Sequence, residues 1–230
     1  MQAVNNWDLY RYAHRGGGGS GTTDTRFKSL VERTITDVSD DSITAVGEYA
    51  FCKCNSLMTV DLPNAITVGT SVFQGCTFLS DVNLPNVTTA GGSAFYGCKN
   101  LTSINIQNLY AVESMMFNGC SGITTINFPN VNRISTNGFS NCSNLKMLDM
   151  PNVTVLGNSV FSSCTSLTTV ILRTATVATL TNINAFANTP IADGTGYIYV
   201  PDELVDSYKI ATNWVTYADQ IKPLSEYGGD

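Results

Sequence analysis

One spacing constrains this chain more than any other feature, because a phenylalanine recurs every 22 residues without a slip. The column consists of Phe51, Phe73, Phe95, Phe117, Phe139 and Phe161. A cysteine follows each phenylalanine three residues later, and a leucine or isoleucine follows three residues after that. A strict period of this length indicates a solenoid, in which every coil repeats one supersecondary unit. A single coil cannot bury its own apolar face, so stacked coils must share one core.

The remainder of each unit predicts a strand. An alternating apolar pair, first seen at Val60 and Leu62, is typical of a strand with one face inward. A Pro-Asn pair follows in most coils, and proline ends a strand because it cannot donate to the ladder. The segment around each phenylalanine is expected to be a short helical or 3₁₀ return. The prediction is therefore an α/β repeat of about seven coils with a parallel sheet along one face.

The repeat also predicts how the chain is divided. The expected segments are an aromatic segment at 1–15, a glycine-rich linker at 16–25, the solenoid at 26–200 and a helical cap at 201–230. A degenerate first coil precedes Phe51, and Phe186 follows Phe161 by 25 residues. Residues 202–211 and 214–221 are expected to form two short helices that cover the open end of the core.

The unit F-x-x-C-x-x-L-x-x-V-x-L-P-N-V resembles the BspA-type, or Treponema-type, leucine-rich repeat from Thr34 to Pro223. The stretch from Gly196 to Leu224 is similar to the C-terminal cap of gut-bacterial and prophage-borne members. The resemblance implies a leucine-rich-repeat solenoid and a role in adhesion to host proteins or to other cells. It also implies a location at the cell surface or outside the cell, and it brings no catalytic motif.

Composition narrows the partners. With 12 basic and 18 acidic residues the net charge is −6, and no basic cluster stands out, so nucleic acid and anionic membranes are not expected. No apolar stretch reaches the ~18 residues of a membrane span. The first fifteen residues lack the pattern of a secretory signal, and only 13% of residues are charged. The chain is therefore intracellular as written, leaves the cell by another route such as phage lysis, or is a processed form. Because a low share of charged residues is common in extracellular and virion proteins, we expect an extracellular or virion-surface location.

The cysteines predict structure and not chemistry. The repeated column is Cys54, Cys76, Cys98, Cys120, Cys142 and Cys164. We expect free buried thiols there, because parallel side chains about 5 Å apart rarely reach the torsion of a disulfide. Cys52 and Cys54 lack further metal ligands, and His14 is the only histidine, so a metal site and a histidine-based triad are not expected. The sequence predicts no enzyme and no cofactor.

Two columns of outward positions lie between the inward strand residues. One contains Asp61, Asn83, Asn105, Asn127, Asp149, Ile171 and Tyr199, and its neighbour contains Thr59, Asp81, Ser103, Thr125, Met147, Thr169 and Tyr197. The columns have two interpretations, a ladder of amides bonded between coils or a polar groove on a concave sheet that binds a glycan or peptide. For the second, the predicted ligand-binding residues are Asp61, Asn83, Asn105, Asn127, Asp149, Tyr197 and Tyr199.

The N-terminal segment also has two interpretations. Its aromatic and apolar residues are Trp7, Leu9, Tyr10 and Tyr12, and a glycine linker follows them. The segment is either a disordered tail or a peptide that anchors the solenoid to a larger assembly. The leading hypothesis is a non-catalytic recognition module for a cell-surface glycan or protein, displayed on a phage tail or virion. The alternatives are a bacterial surface adhesin and a structural spacer without a ligand.

Overall fold

The computed structural model describes residues 35–228, which wind into a solenoid of about eight coils. Each coil contributes a longer strand to one face and a two-residue strand to another. These are called the long-strand face and the short-strand face below. The predicted solenoid of 22-residue coils with parallel sheets is confirmed. The predicted anchor residues Trp7, Leu9, Tyr10 and Tyr12 lie outside the described residues.

All paired strands are parallel and in register with the repeat, so that Val60 lies beside Val82 and Val82 beside Ile104. The long-strand face contains β1 (Asp37–Ser39), β3 (Thr59–Asp61), β5 (Asp81–Asn83), β7 (Ser103–Asn105), β10 (Met147–Met150), β12 (Thr169–Leu172), β14 (Tyr197–Val200) and β15 (Ile221–Pro223). The short-strand face contains β2 (Ala45–Val46), β4 (Thr67–Val68), β6 (Thr89–Ala90), β8 (Ala111–Val112), β9 (Arg133–Ile134), β11 (Val155–Leu156) and β13 (Thr179–Leu180).

Each face is interrupted once. The long-strand face divides into β1-β3-β5-β7 and β10-β12-β14-β15, because residues 125–127 form no strand. The strand expected in that coil is therefore absent. Ile126, its inward residue, is only partly buried. The short-strand face divides one coil earlier, between β6 and β8.

The return around each phenylalanine is a run of turns and not the expected helix. Two residues per coil have positive φ, for example Ser71 at 54° and Gly75 at 73°, and this left-handed conformation interrupts helical geometry. The return still joins the coils, since the Phe73 amide donates to the Ala94 carbonyl at 2.8 Å. Equivalent bonds recur along the solenoid, so the returns form a third ladder.

The core is a stack of phenylalanine rings. From Phe51 to Phe186 successive rings are fully buried, and centroid separations run from 5.2 Å for Phe117–Phe139 to 6.0 Å for Phe139–Phe161. Offset stacking of this kind adds to the hydrophobic stabilisation of each ring. The column that decided the fold from sequence is therefore the axis of the core.

The predicted ladder of thiols is confirmed, because its six cysteines are buried and none of them forms a disulfide within residues 35–228. The five thiols from Cys76 to Cys164 also donate a hydrogen bond that the spacing did not predict. The Cys76 Sγ donates to the Phe51 carbonyl of the preceding coil at 2.9 Å, and the pattern recurs up to Cys164 and Phe139 at 3.0 Å. The column thus joins neighbouring coils by hydrogen bonds, without disulfides.

The asparagines of the Pro-Asn pairs, with Asn108 of the equivalent Gln107-Asn108 pair, form a further ladder that is called the Pro-Asn ladder below. The Asn86 side-chain amide donates to the Pro63 carbonyl at 2.8 Å, and Asn108 donates to Pro85 at 2.8 Å. Asn64, Asn130 and Asn152 make the equivalent bond. The proline ends the strand and the asparagine ties its coil to the preceding one.

The helical cap expected after Val200 is present, and it also contains β15. It consists of 3₁₀ turns at Asp202–Leu204, Trp214–Gln220 and Leu224–Glu226 and one helix, α1 (Val205–Ile210). The Trp214 indole donates to the Ala178 carbonyl at 2.6 Å, and the Ala178 amide donates to the Tyr208 hydroxyl at 2.9 Å. The Asn213 side-chain amide donates to the Leu180 carbonyl at 2.7 Å. The cap therefore satisfies the backbone groups at the open edge of β13.

Candidate functional site

The first half of the long-strand face carries a ladder of side-chain amides. The Asn105 amide donates to the Asn83 side-chain oxygen at 2.8 Å, and the Asn83 amide donates to the Asp61 carboxylate at 2.8 Å. These three predicted site residues therefore lie together and bond to one another. The bonds correspond to the first interpretation of the column, the amide ladder between coils.

The same half begins with an acidic residue held by hydroxyls. Asp37 accepts hydrogen bonds from Thr59 at 2.5 Å and from Thr36 at 2.7 Å. These bonds, that of Thr59 first, lower the pKa of the Asp37 carboxyl because they stabilise its charged form.

The amide ladder ends before Asn127. Asn127 is exposed and lies in the coil that forms no strand. Asp149, in the next coil, is instead bound by Arg173, with 2.9 Å from Nε to Oδ1 and 2.8 Å from Nη2 to Oδ2. This two-point geometry fixes the guanidinium plane, and the bonds to Asp149 raise the pKa of Arg173. Arg173 was not predicted as a site residue, because it follows its strand and belongs to no outward column.

Beyond this ion pair lie three tyrosines. The ring centroids of Tyr197 and Tyr199 are 6.4 Å apart, and those of Tyr199 and Tyr227 are 5.0 Å apart. The Tyr227 hydroxyl lies 3.1 Å from the Met147 sulfur, and the Lys222 ammonium lies 5.7 Å from the centre of the Tyr197 ring. We call these five residues the tyrosine cluster. It brings together the two tyrosines that the sequence predicted as neighbours.

The tyrosine cluster is partly open to solvent. Tyr197 is 39% exposed, whereas Tyr199 is half-buried between its neighbours. Burial, with a smaller contribution from Tyr197, raises the pKa of Tyr199, so the phenol is neutral at physiological pH. The contact between a cation and the face of a tyrosine ring is favourable. This contact holds the Lys222 ammonium over the ring of Tyr197. Tyr227 was missed because it lies past the last repeat, in no register with Met147.

One predicted outward residue is not outward. Ile171 was assigned to the exposed column, but only 1% of its surface is accessible. Its register partners are Asp149 on β10 and Tyr199 on β14. Asp149 is held by Arg173 and Tyr199 lies against other rings, so the isoleucine lies between two residues that are themselves tied to further side chains.

Residues 35–228 contain neither a cluster of metal ligands nor a membrane-spanning helix. No group of three or more His, Cys, Asp or Glu side chains in this range is arranged to hold a metal ion. None of its helices has the length and apolar character needed to cross a bilayer.

A family model described as the BspA type leucine rich repeat region matches residues 27–114 and 88–196, with six copies of the repeat. None of the curated proteins is similar enough in sequence to count as a relative.

Several solved structures have a similar fold. The leucine-rich repeat protein of Treponema pallidum aligns at 22% identity with a TM-score of 0.57, covering 77% of this chain and 83% of its own. The pneumococcal vaccine antigen PcpA aligns at 18% identity with a TM-score of 0.59, covering 81% of this chain and 44% of its own. A leucine-rich cell surface protein of Faecalibacterium prausnitzii aligns at 21% with a TM-score of 0.50, covering 61% of this chain and 48% of its own. This chain thus spans about half of the last structure. At such identities the similarity concerns the fold alone.

Proposed function

Because the chain belongs to the BspA-type leucine-rich repeat family, we propose that it is a non-catalytic adhesion module that binds a cell-surface ligand through its long-strand face. Neither the family nor the similar structures indicate a catalytic family. One similar structure is described as a leucine-rich cell surface protein, which supports a location outside the cell for this chain also.

The observation that carries the proposal is the tyrosine cluster. Tyrosine rings offer apolar faces and phenol groups on one surface, and they lose little conformational entropy on binding. The Arg173–Asp149 ion pair and Lys222 supply polar and charged groups beside the rings. A pyranose needs this combination, because its C–H face stacks on an aromatic ring while its hydroxyls need donors and acceptors. The proposed ligand is therefore a glycan, and a protein segment rich in aromatic or acidic residues is the alternative.

The predicted polar residues have a different part in the proposal. Asp61, Asn83 and Asn105 already bond to one another, so a ligand would have to replace those bonds before it gained new ones. Asn127 is exposed and lies beyond the amide ladder. We assign the ladder to solubility and coil stacking, and binding to the C-terminal half of the face.

A binding screen tests this assignment. The full chain is applied to a glycan array and to intact bacterial and host cells, beside a Tyr227→Ala variant. Tyr49→Ala is the matched control, because Tyr49 is an exposed tyrosine in another coil. The proposal expects binding that Tyr227→Ala weakens and Tyr49→Ala leaves unchanged. Binding to no glycan and no cell, or equal binding by both variants, would contradict it.

We further propose that the N-terminal segment attaches the solenoid to a larger particle, such as a phage tail or virion. The proposal rests on sequence, since four aromatic or apolar residues, Trp7, Leu9, Tyr10 and Tyr12, occur within six positions and a glycine-rich linker follows. Comparing the full chain with residues 22–230 separates the two roles. The tail should be needed for co-sedimentation with purified particles but not for glycan binding. If neither form binds a glycan or a cell, the solenoid acts as a spacer.

A further inference from the structure

The short-strand face contains a shallow cleft of about 420 Å³. The residues that line it include Tyr110, Arg133, Ala111 and Thr89. Ala111 and Thr89 have short side chains, whereas Tyr110 and Arg133 have long ones. Tyr110 is 56% exposed, so part of its surface at the edge of the cleft is open to solvent.

The cleft coincides with the interruption of the short-strand face. β6 and β8 are not hydrogen-bonded neighbours, whereas β4 pairs with β6 and β8 pairs with β9. In the first three coils the residue after the short strand is a glycine, at Gly47, Gly69 and Gly91. A side chain would not fit there without a shift of the backbone, because a Cβ added to Gly91 would lie 2.5 Å from the Thr70 nitrogen. Glu113 is the first residue of this column with a side chain. The interruption between β6 and β8 thus coincides with the first coil in which another residue, Glu113, replaces this glycine.

The opening is a depression and not a slit. On one side of it the Tyr110 amide donates to the Thr88 carbonyl at 3.2 Å, and on the other the Ser93 amide donates to the Ser114 carbonyl at 2.9 Å. The two coils therefore keep their normal spacing around the cleft. An inserted strand would need about 4.8 Å more between them, so a peptide cannot enter by adding a strand.

The charges in the cleft compensate one another. Arg133 donates a hydrogen bond to Glu113, and both side chains are partly exposed. The Ser135 hydroxyl also lies 3.5 Å from the second Glu113 oxygen. Because the guanidinium is already neutralised by a carboxylate, the cleft offers no net charge to an anion or a cation. It offers hydrogen-bond donors and acceptors beside one aromatic ring.

We propose that this cleft is a second binding site, separate from the long-strand face, for a neutral sugar of one or two hexose units. The volume lies within the range of small-ligand sites. The ring of Tyr110 would stack on the C–H face of the sugar, and the Glu113 carboxylate would accept from its hydroxyls. Thr88, Thr89 and Asn132 line the same cleft, and their polar side chains would complete the contacts.

The test is a titration of the ¹⁵N-labelled full chain with glucose, galactose, mannose and N-acetylglucosamine, followed by NMR shifts. At least one sugar should move the amides of Thr89, Ala111 and Arg133 in a saturable way, with a dissociation constant on the order of 1 mM. Tyr110→Ala should weaken that binding about tenfold through loss of stacking.

Two controls separate this site from the proposed function. Tyr49→Ala, another exposed tyrosine, should leave the titration unchanged. The double variant Tyr197→Ala with Tyr199→Ala should leave the shifts of Thr89, Ala111 and Arg133 unchanged. This variant removes the tyrosine cluster, which is the ligand site proposed on the other face. Saturable shifts confined to the tyrosine cluster would overturn the second site and support the first. Absence of saturable shifts, or tighter binding of glucuronate than of glucose, would overturn the inference as well.

Discussion

The repeated coils and the C-terminal end of this molecule use their side chains differently. In the coils a side chain bonds to a neighbour about 22 residues away, as Asn105 does with Asn83 and Asn86 with Pro63. After Thr169 the contacts join unlike residues over irregular distances, as between Tyr227 and Met147, 80 residues apart. Repetition lets equivalent groups satisfy one another, which builds a stable rod but leaves few free groups. Where repetition stops, rings and charges remain available to a ligand.

The largest expected effect is a loss of stability when the phenylalanine stack of the repeated coils is interrupted. Phe117→Ala removes a buried ring that lies 5.4 Å from Phe95 and 5.2 Å from Phe139. We expect the free energy of unfolding to fall by about 3–5 kcal/mol, through lost burial and the cavity that remains. Urea unfolding measures it.

Phe78→Ala is the matched control, because Phe78 is 58% exposed and outside the stack. Its cost should stay below about 0.5 kcal/mol. Equal costs for the two phenylalanines would refute the assignment of the stack as the core.

The second effect concerns the irregular end. Tyr208→Phe leaves the Ala178 amide, at the edge of β13, without its acceptor. A buried donor without a partner costs about 1–3 kcal/mol, so unfolding should become easier by that amount. Hydrogen exchange at Ala178 should accelerate in parallel. Tyr96→Phe, at an exposed ring, is the control and should change neither quantity.

These two regions also mark what the sequence could predict. The period predicted the core, the strands and the thiol ladder, because every coil repeats the same packing problem. The pairing of Tyr197 with Tyr199 followed from alternation along one strand. Tyr227 and Arg173 could not be placed, because the period ends before the former and stretches around the latter. The amides of the Pro-Asn pairs were visible in the sequence, but their carbonyl partners carry no sequence signal.

The departures from expectation have the same origin. Ile171 fits the outward register, yet it is buried between its register partners Asp149 and Tyr199. The positive φ of Ser71 and of its equivalents interrupts the return that phenylalanine spacing alone suggested to be helical. A period specifies which positions are alike, whereas exposure and local dihedrals depend on the particular neighbours.

A third effect tests the thiol ladder through pH. Burial raises the pKa of the Cys120 thiol well above its usual value of about 8.5. Above that pH the unfolded chain releases the proton and the folded chain retains it. The stabilisation is therefore complete below about pH 8.5 and is lost as pH rises further.

Cys120→Ala removes one such thiol. The stability advantage of the parent over this variant should shrink by about 1.4 kcal/mol between pH 7 and pH 9.5. Urea unfolding at the two pH values measures the change. A constant difference would mean that Cys120 is ionised, or accessible, in the folded chain.

The smallest stability effect separates the two asparagine ladders. Asn108→Ala removes a partly buried bond to the Pro85 carbonyl and should cost about 1 kcal/mol. Asn105→Ala removes an exposed bond that water can replace, and should cost less than about 0.5 kcal/mol. Thermal unfolding of the two variants measures both. The reverse order would mean that the amide ladder on the long-strand face stabilises the coils more than the Pro-Asn ladder does.

We propose that the long-strand face recognises its cell-surface ligand where the repeat ends, and one comparison on the same glycan array and cell panel tests this proposal. Two double variants are compared with the parent, Tyr197→Ala with Tyr199→Ala, and Asn83→Ala with Asn105→Ala. We expect the tyrosine variant to lose binding while the asparagine variant, equally well folded, retains it. Loss of binding only in the asparagine variant would place this recognition on the periodic coils of the long-strand face and would refute the proposal.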